Sequence, residues 1–121
     1  MNPVNWFEIP VRDLTRAKVF YEKVLNVVLT QHEMGPLHMA WFPMENEAPG
    51  ATGSLVQGER YVLSLSGIRI YFSVDDINGV LEKAAKSGGK ILNPKVGIGE
   101  YGFIAHFEDS EGNFIGLHSM T

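Results

Sequence analysis

The sequence predicts an α+β domain built from two tandem βαβββ units. Three observations predict it. The chain repeats itself, since Val11-Arg12-Asp13-Leu14 returns as Val74-Asp75-Asp76-Ile77, an offset of 63 residues. Each copy runs from an alternating apolar stretch into a helically spaced one, then back into short alternating stretches. At 121 residues the chain is one domain's worth of protein, so the two copies must share a core.

The same offset carries Phe7 onto Ile70, Ile9 onto Phe72, Ala17 onto Val80 and Tyr21 onto Ala84. It also carries Glu45 onto Glu108, Asn46 onto Asp109 and Gly53 onto Gly116. One unbroken register from the first strand to the last is therefore expected. A site between two such copies draws equivalent positions from each.

The elements follow in order. Phe7, Ile9 and Val11 alternate with Trp6, Glu8 and Pro10, which is strand periodicity. Asp13 is a helix N-cap, because its carboxylate can accept from the free N–H groups of the first turn. Ala17, Phe20, Tyr21 and Val24 then form one apolar stripe. Short strands are expected over about Val27–Glu33, Leu37–Met44 and Ala51–Val56. Gly35-Pro36 and Ala48-Pro49-Gly50 supply the turns between them. Gln57–Gly67 reads as a surface linker with some packing.

In the second copy Ile68, Ile70, Phe72 and Val74 alternate with Arg69, Tyr71 and Ser73. Asp76 caps a helix whose stripe is Ile77, Val80, Leu81, Ala84 and Ala85, and Gly88-Gly89 stops it. Strands return at Lys90–Pro94, Phe103–Glu108 and Asn113–Ser119, with Asp109-Ser110-Glu111-Gly112 as turn chemistry. The units span about residues 4–57 and 67–120, within a single domain 1–121. Gly97-Ile98-Gly99-Glu100-Tyr101-Gly102 matches the dinucleotide-binding glycine pattern. It precedes a strand where that fingerprint must open a helix, so it is read as a glycine-rich hairpin.

Composition excludes several classes of function. The net charge is −4 and no Lys/Arg stripe forms, so no nucleic-acid partner is expected. There is no Cys, which removes disulfides and thiolate chemistry and fits a cytoplasmic protein. No apolar run approaches membrane-spanning length and no signal peptide is visible, so no membrane partner is expected. The scattered Met34, Met39, Met44 and Met120 read as packing.

Strand parity separates two faces. Phe7, Ile9, Val11, Ile68, Ile70, Phe72 and Val74 are the apolar set and should face the helices. Trp6, Glu8, Arg69 and Tyr71 then face the other way, joined by Phe114, Gly116 and His118 of the last strand. A sheet face carrying Trp, Glu, Arg, Tyr and His is too polar for a closed core and reads as the lining of a cleft.

Paired βαβββ units carrying Phe7-Glu8-Ile9-Pro10-Val11-Arg12-Asp13-Leu14 and Phe107-Glu108-Asp109-Ser110-Glu111-Gly112-Asn113-Phe114-Ile115-Gly116-Leu117 resemble the vicinal oxygen chelate superfamily. That superfamily holds glyoxalase I, bleomycin-resistance proteins and extradiol dioxygenases. The resemblance covers nearly the whole chain and is strongest to small proteins described as related to lactoylglutathione lyase. It implies curved sheets that form a cup around a small-molecule ligand, and a homodimer.

In glyoxalase I-like members the metal ligands are His or Glu on the first and fourth strands of each unit. Carried onto this chain, the resemblance places them at Trp6, Gly53, Arg69 and Gly116. None is an ordinary side-chain ligand: two are glycines, one is an indole and one is a permanent cation. This argues against glyoxalase I and extradiol dioxygenase activity, and no cofactor is expected. A shifted divalent-metal site would have to use Glu8 and His118 with His38 or His106. The reading preferred for Glu8 and His118 is that they hydrogen-bond a ligand, or each other, in a polar cleft.

Glu8 and Arg69 sit on the first strands of the two units. Arg69 is either an anchor for a carboxylate, phosphate or enolate with Glu8 as base, or half of an ion pair that holds the units in register. Trp6 and Tyr71 either stack on a planar ligand or fill the cup. Gly53 and Gly116 make room either for a ligand or for a neighbouring side chain.

Three functions follow. The first is a metal-independent small-molecule binding protein with a cup lined by Trp6, Glu8, Arg69, Tyr71, Phe114 and His118. The second is a lyase or isomerase of a small carbonyl compound, with Glu8 or His118 as catalytic acid/base. The third is a structural or regulatory partner whose cup is filled by its own side chains. A shared scaffold alone does not choose among them.

Overall fold

A computed structural model describes residues 2–121. The first unit contains β1 (Trp6–Pro10), α1 (Leu14–Leu25), β2 (Thr30–Met34), β3 (Leu37–Trp41) and β4 (Thr52–Gln57). The second contains β5 (Ile70–Ser73), α2 (Ile77–Lys86), β6 (Lys90–Gly97), β7 (Phe103–Glu108) and β8 (Phe114–Ser119). Each unit is βαβββ, as the sequence predicts.

Each unit forms a four-stranded sheet, in the orders β1-β4-β3-β2 and β5-β8-β7-β6. The first and fourth strands of each unit pair in parallel and the others antiparallel. The helix thus carries the chain across its own sheet, as a parallel pairing requires.

Local chemistry fixes the helix ends. The Asp13 side chain accepts from the Arg16 N–H, and that of Asp76 from the Gly79 N–H. Asn26 ends α1 in the left-handed conformation, and Gly88 follows α2 at φ 100°. The stripes are buried as predicted at Ala17, Phe20, Tyr21, Val24, Ile77, Leu81 and Ala84, but Ala85 is exposed.

One core serves both units. The helices pack against each other, and Phe20 reaches Phe107 of unit two at 6.1 Å. Phe7 and Phe72, on the two edge strands β1 and β5, meet at 5.7 Å. Ile70, Phe72 and Val74 pack on this core, but Ile68 is 95% exposed. It precedes β5, so strand parity does not govern it.

The register breaks once between the copies. Phe7 pairs with Gly53, yet its equivalent Ile70 pairs with Ile115 and not with Gly116. The 63-residue offset therefore holds through the first strand and helix and slips by one at the fourth strand. Because side chains alternate faces, Gly53 lies on the helix side beneath Phe7, while Gly116 lies on the opposite face beneath Tyr71. The residue of β4 equivalent to Gly116 is Ser54, the partner of Glu8.

The turn between β7 and β8 holds unit two onto unit one. Glu111, whose side chain is fully buried, accepts from the N–H groups of Arg12 and Asp13 and pairs with Arg16 at 2.7 Å. Tyr21 donates its hydroxyl hydrogen to Asp109 at 2.5 Å, and the Asn113 amide donates to the Pro10 carbonyl. Burial alone would raise the Glu111 carboxyl, but the Arg16 guanidinium and the backbone donors outweigh it, and its pKa lies below the ordinary value. Burial and the neighbouring Asp109 carboxylate push the Tyr21 phenol well above its ordinary range.

Candidate functional site

A cleft of about 850 Å³ opens at the seam between β1 and β5. Trp6, Glu8, Arg69, Tyr71 and Phe114 all line it, but so do Phe7, Ile9, Ile70 and Phe72 of the opposite parity, because the cavity lies at the strand edges and takes residues from both faces. The Gly50–Ala51 end of the β3–β4 loop and Val62, Ser64 and Ser66 of the linker complete its wall. A second cleft of about 580 Å³ lies toward the helices, lined by Phe7, Phe42, Phe72 and Lys83 among others. It holds none of the predicted site residues.

The two sides of the seam differ in chemistry. On the unit-one side, the Glu8 carboxylate accepts from the Tyr61 hydroxyl at 2.8 Å and from the Trp6 indole N–H at 3.5 Å. The Glu8 carboxylate in turn holds the Tyr61 phenol above its ordinary value. Trp6 meets Trp41 edge to face at 5.3 Å, and His32 stacks on Trp41 at 3.8 Å. Trp6 therefore packs on unit one's inner face while also lining the cleft.

On the unit-two side, Arg69 lies over the Phe114 ring at 4.4 Å. Among the described residues no ion pair joins Arg69 to Glu8 or to any other carboxylate. The expected alternative of a Glu8–Arg69 pair holding the units in register is not what the structure contains. Asp109, Glu111 and Asn113 do that work.

The Tyr71 ring lies across Gly116, where a Cβ would fall inside van der Waals contact with it. Its hydroxyl reaches His106 Nε2 at 2.7 Å, and His106 Nδ1 meets the Asn93 side-chain nitrogen at 3.1 Å. Gly116 thus makes room for a side chain of the neighbouring strand. His106 is buried; that burial first, and then the Arg69 charge, lower its pKa and hold it neutral.

His118 is not brought to this cavity. It faces the predicted side of β8, but its Nε2–H donates to the Tyr101 carbonyl at 2.6 Å. That carbonyl belongs to the turn Gly99–Tyr101, where the glycine pattern forms the β6–β7 hairpin connection as predicted. His38 pairs with Glu33 on the exposed β2–β3 hairpin, also away from the cleft.

A metal held in the manner of glyoxalase I does not fit these residues. With the register corrected, the relevant places are Trp6, Ser54, Arg69 and Gly116. The Ser54 hydroxyl is committed to a backbone carbonyl at 2.7 Å, and the others offer no donor pair for a cation. Among the described residues no three His, Cys, Asp or Glu side chains converge.

Sequence reasoning missed the roles of His106, Asn93, Trp41 and Tyr61. His106 and Trp41 occupy equivalent positions on the third strands, opposite Gly116 and Ser54. The strand parity of β3 and β7 would have placed both on the cleft face. Tyr61 lies in irregular chain and carried no such signal.

Comparison with known proteins gives the same scaffold. A family model described as Glyoxalase/Bleomycin resistance protein/Dioxygenase superfamily matches residues 4–117. A glyoxylase-like domain-containing protein of Didymella fabae is 27% identical, covering 91% of this chain and 88% of its own. CFP32 of Mycobacterium tuberculosis, which its name describes as a glyoxylase, is 24% identical over 93% of this chain. The chain spans only 44% of that relative's length. Among solved structures, a glyoxylase/bleomycin resistance protein/dioxygenase domain from Frankia sp. EAN1pec superposes with a TM-score of 0.75 at 19% identity, covering 98% of both chains. A glyoxalase I mutant from Zea mays gives 0.75 at 22% identity, covering 98% of this chain and 47% of that one.

Proposed function

The chain belongs to the Glyoxalase/Bleomycin resistance protein/Dioxygenase superfamily, and from that premise we propose that it is a metal-independent binding protein for a small anionic molecule. One observation carries the reading. Arg69 lines a cleft of about 850 Å³ and has no carboxylate partner among the described residues. A permanent cation on an aromatic face, in one cleft with Tyr71, suits a carboxylate, phosphate or enolate oxygen. Trp6 and Phe114 supply apolar walls for a planar body.

The donor set at the family's metal positions supports independence from metal, since Trp6, Ser54, Arg69 and Gly116 form no coordination set. A homodimer is part of the proposal. Val62 and Ile68, both on the wall of the cleft, are 76% and 95% exposed, and a second chain would cover them. We place the protein in the cytoplasm on its lack of cysteine.

A catalytic reading, as a lyase or isomerase of a small carbonyl compound, rests on Glu8, which lines the same cleft. Glu8→Gln would abolish turnover if the carboxylate is the base, and would leave it intact if Glu8 only binds.

The test is a titration with benzoate, followed by chemical-shift perturbation, with benzylammonium as the opposite-charge control. Benzoate should bind the native protein and Arg69→Ala should weaken it by about tenfold or more. EDTA should change neither affinity. Equal affinity in Arg69→Ala, or preference for benzylammonium, overturns the anion reading. Loss of binding on chelation, restored by added metal, overturns metal independence. Sedimentation of the native chain decides the dimer.

A further inference from the structure

Tyr71, Gly116, His106 and Asn93 occupy one row across all four strands of the second sheet. Tyr71 on β5 is registered with Gly116 on β8, Gly116 with His106 on β7, and His106 with Asn93 on β6. The missing Cβ at Gly116 lets the Tyr71 ring lie flat over β8. Its hydroxyl therefore spans two strands and meets His106 at 2.7 Å. With a side chain at position 116 the row would be interrupted.

The Asn93 amide sets the direction of each hydrogen bond in this row. With its nitrogen turned toward the ring, Asn93 donates and His106 Nδ1 accepts. A neutral imidazole that accepts at Nδ1 carries its hydrogen on Nε2. Nε2–H then donates to the Tyr71 oxygen, which leaves the phenolic hydrogen with no partner in the row. Burial of the ring and the Arg69 charge both keep His106 in this neutral state.

We propose that the Tyr71 hydroxyl donates a hydrogen bond to the bound anion, and that His106, fixed by Asn93, is the positioning residue that sets it. The inference rests on Arg69 as the anion's anchor. Arg69 immediately precedes β5 and Tyr71 is its second residue, so two residues of chain separate them and their Cα atoms lie no more than about 7 Å apart on one cleft wall. Phe114 joins Arg69 to the row, under the guanidinium at 4.4 Å and beside the His106 ring at 4.8 Å.

The unit-two side of the cleft thus presents two donors, one charged and one neutral, across from the Glu8 carboxylate of unit one. It selects ligands whose oxygen accepts twice, such as a carboxylate, an enolate or a phenolate. An amine at the same place would face the Arg69 cation and would leave the Tyr71 hydrogen without an acceptor.

The experiment has two arms. Long-range proton–nitrogen correlation on the ligand-free protein near neutral pH reads the His106 tautomer. The Nε2–H form is expected. The Nδ1–H form, or an imidazolium, overturns the proposal whatever the protein binds.

The second arm measures benzoate affinity in Tyr71→Phe, His106→Leu and His106→Gln. Tyr71→Phe should weaken benzoate by about tenfold, the size of a hydrogen bond to a charged group. His106→Leu should lose a similar factor. His106→Gln, whose amide nitrogen reaches close to the Nε2 position, should restore most of it. A Tyr71→Phe variant within about twofold of the native affinity overturns the donor role. Failure of the native protein to bind benzoate, or an unaffected Arg69→Ala, sinks the anion reading instead, and the tautomer then decides the His106–Tyr71 arrangement alone.

Discussion

Between β7 and β8 the chain turns through residues 109–113, and Asp109, Glu111 and Asn113 are buried. Between β3 and β4 it takes residues 42–51, and all but Phe42 are exposed. These are the same connection in two copies of one unit. The short one hydrogen-bonds to α1 and β1 of the other unit. The long one borders both clefts, with Pro49, Gly50 and Ala51 on the walls of each. Duplication supplies two equivalent connections, but a two-unit domain needs only one fastening. The other is free to shape the mouth of a site.

The largest way to break this contrast is Glu111→Ala. It leaves the Arg12 and Asp13 N–H groups without their acceptor and Arg16 without its partner. Arg16 is half exposed and water replaces its partner, so the cost comes from the two stranded N–H groups and should be about 2–4 kcal/mol. Glu45→Ala, in the exposed connection of unit one, should stay within about 0.5 kcal/mol. Urea unfolding midpoints of the two variants check both numbers. Equal effects would mean that the turn does not fasten the units.

The inner faces repeat the lesson. Glu8, Ser54 and Trp41 form a row in unit one, and Tyr71, Gly116 and His106 form the equivalent row in unit two. One row is an aromatic wall beside a carboxylate, and the other is a hydrogen-bond relay beside a cation. The glycines test how they diverged. Gly53→Ala pushes a Cβ into the Phe7 ring and the Phe7 carbonyl, which is backbone and cannot swing away. Gly116→Ala meets only the Tyr71 ring, which is half exposed. The first should cost about 2–3 kcal/mol and the second about 1 kcal/mol. Gly116→Ala should also break the Tyr71–His106 hydrogen bond, visible in the His106 nitrogen shifts. A larger cost for Gly116→Ala would mean the register assignment is wrong.

Much of this was legible in the sequence because periodicity and caps are local. Asp13 and Asp76 marked both helices, and Trp6, Glu8, Arg69, Tyr71 and Phe114 do line one cleft, though it also takes Phe7, Ile9, Ile70 and Phe72 from the face that parity set apart. The one-residue slip at β8 was not legible. A repeat read by identity locks Gly53 onto Gly116, whereas pairing is set by the lengths of the connections, which differ between the copies. Glu111 was visible only as turn chemistry, since nothing local shows that its carboxylate caps a helix nearly a hundred positions earlier. His118 lay on the expected face and still missed the cleft, because parity gives the side of a sheet and not the distance along it.

The smallest expected effect is in the pH dependence, and it separates the relay from the fastening. His106 is depressed below its ordinary value of 6.5 in the folded chain, so the unfolded chain takes up that proton first. Its contribution to stability is therefore present above about pH 6.5 and lost as the pH falls through the lower folded value. Glu111 is likewise depressed below 4.5, so its contribution is lost only in more acid solution. Stability should fall in two stages on acidification. The groups facing His106 are Tyr71, Asn93, Phe114 and Arg69, and of these Arg69 stays charged throughout, so the first stage belongs to the imidazole. His106→Leu should flatten the stability profile just below about pH 6.5 and leave the acid stage in place. A first stage that survives in His106→Leu would mean that the relay histidine is not neutral by construction, and that the inner face of unit two is set by something other than this row.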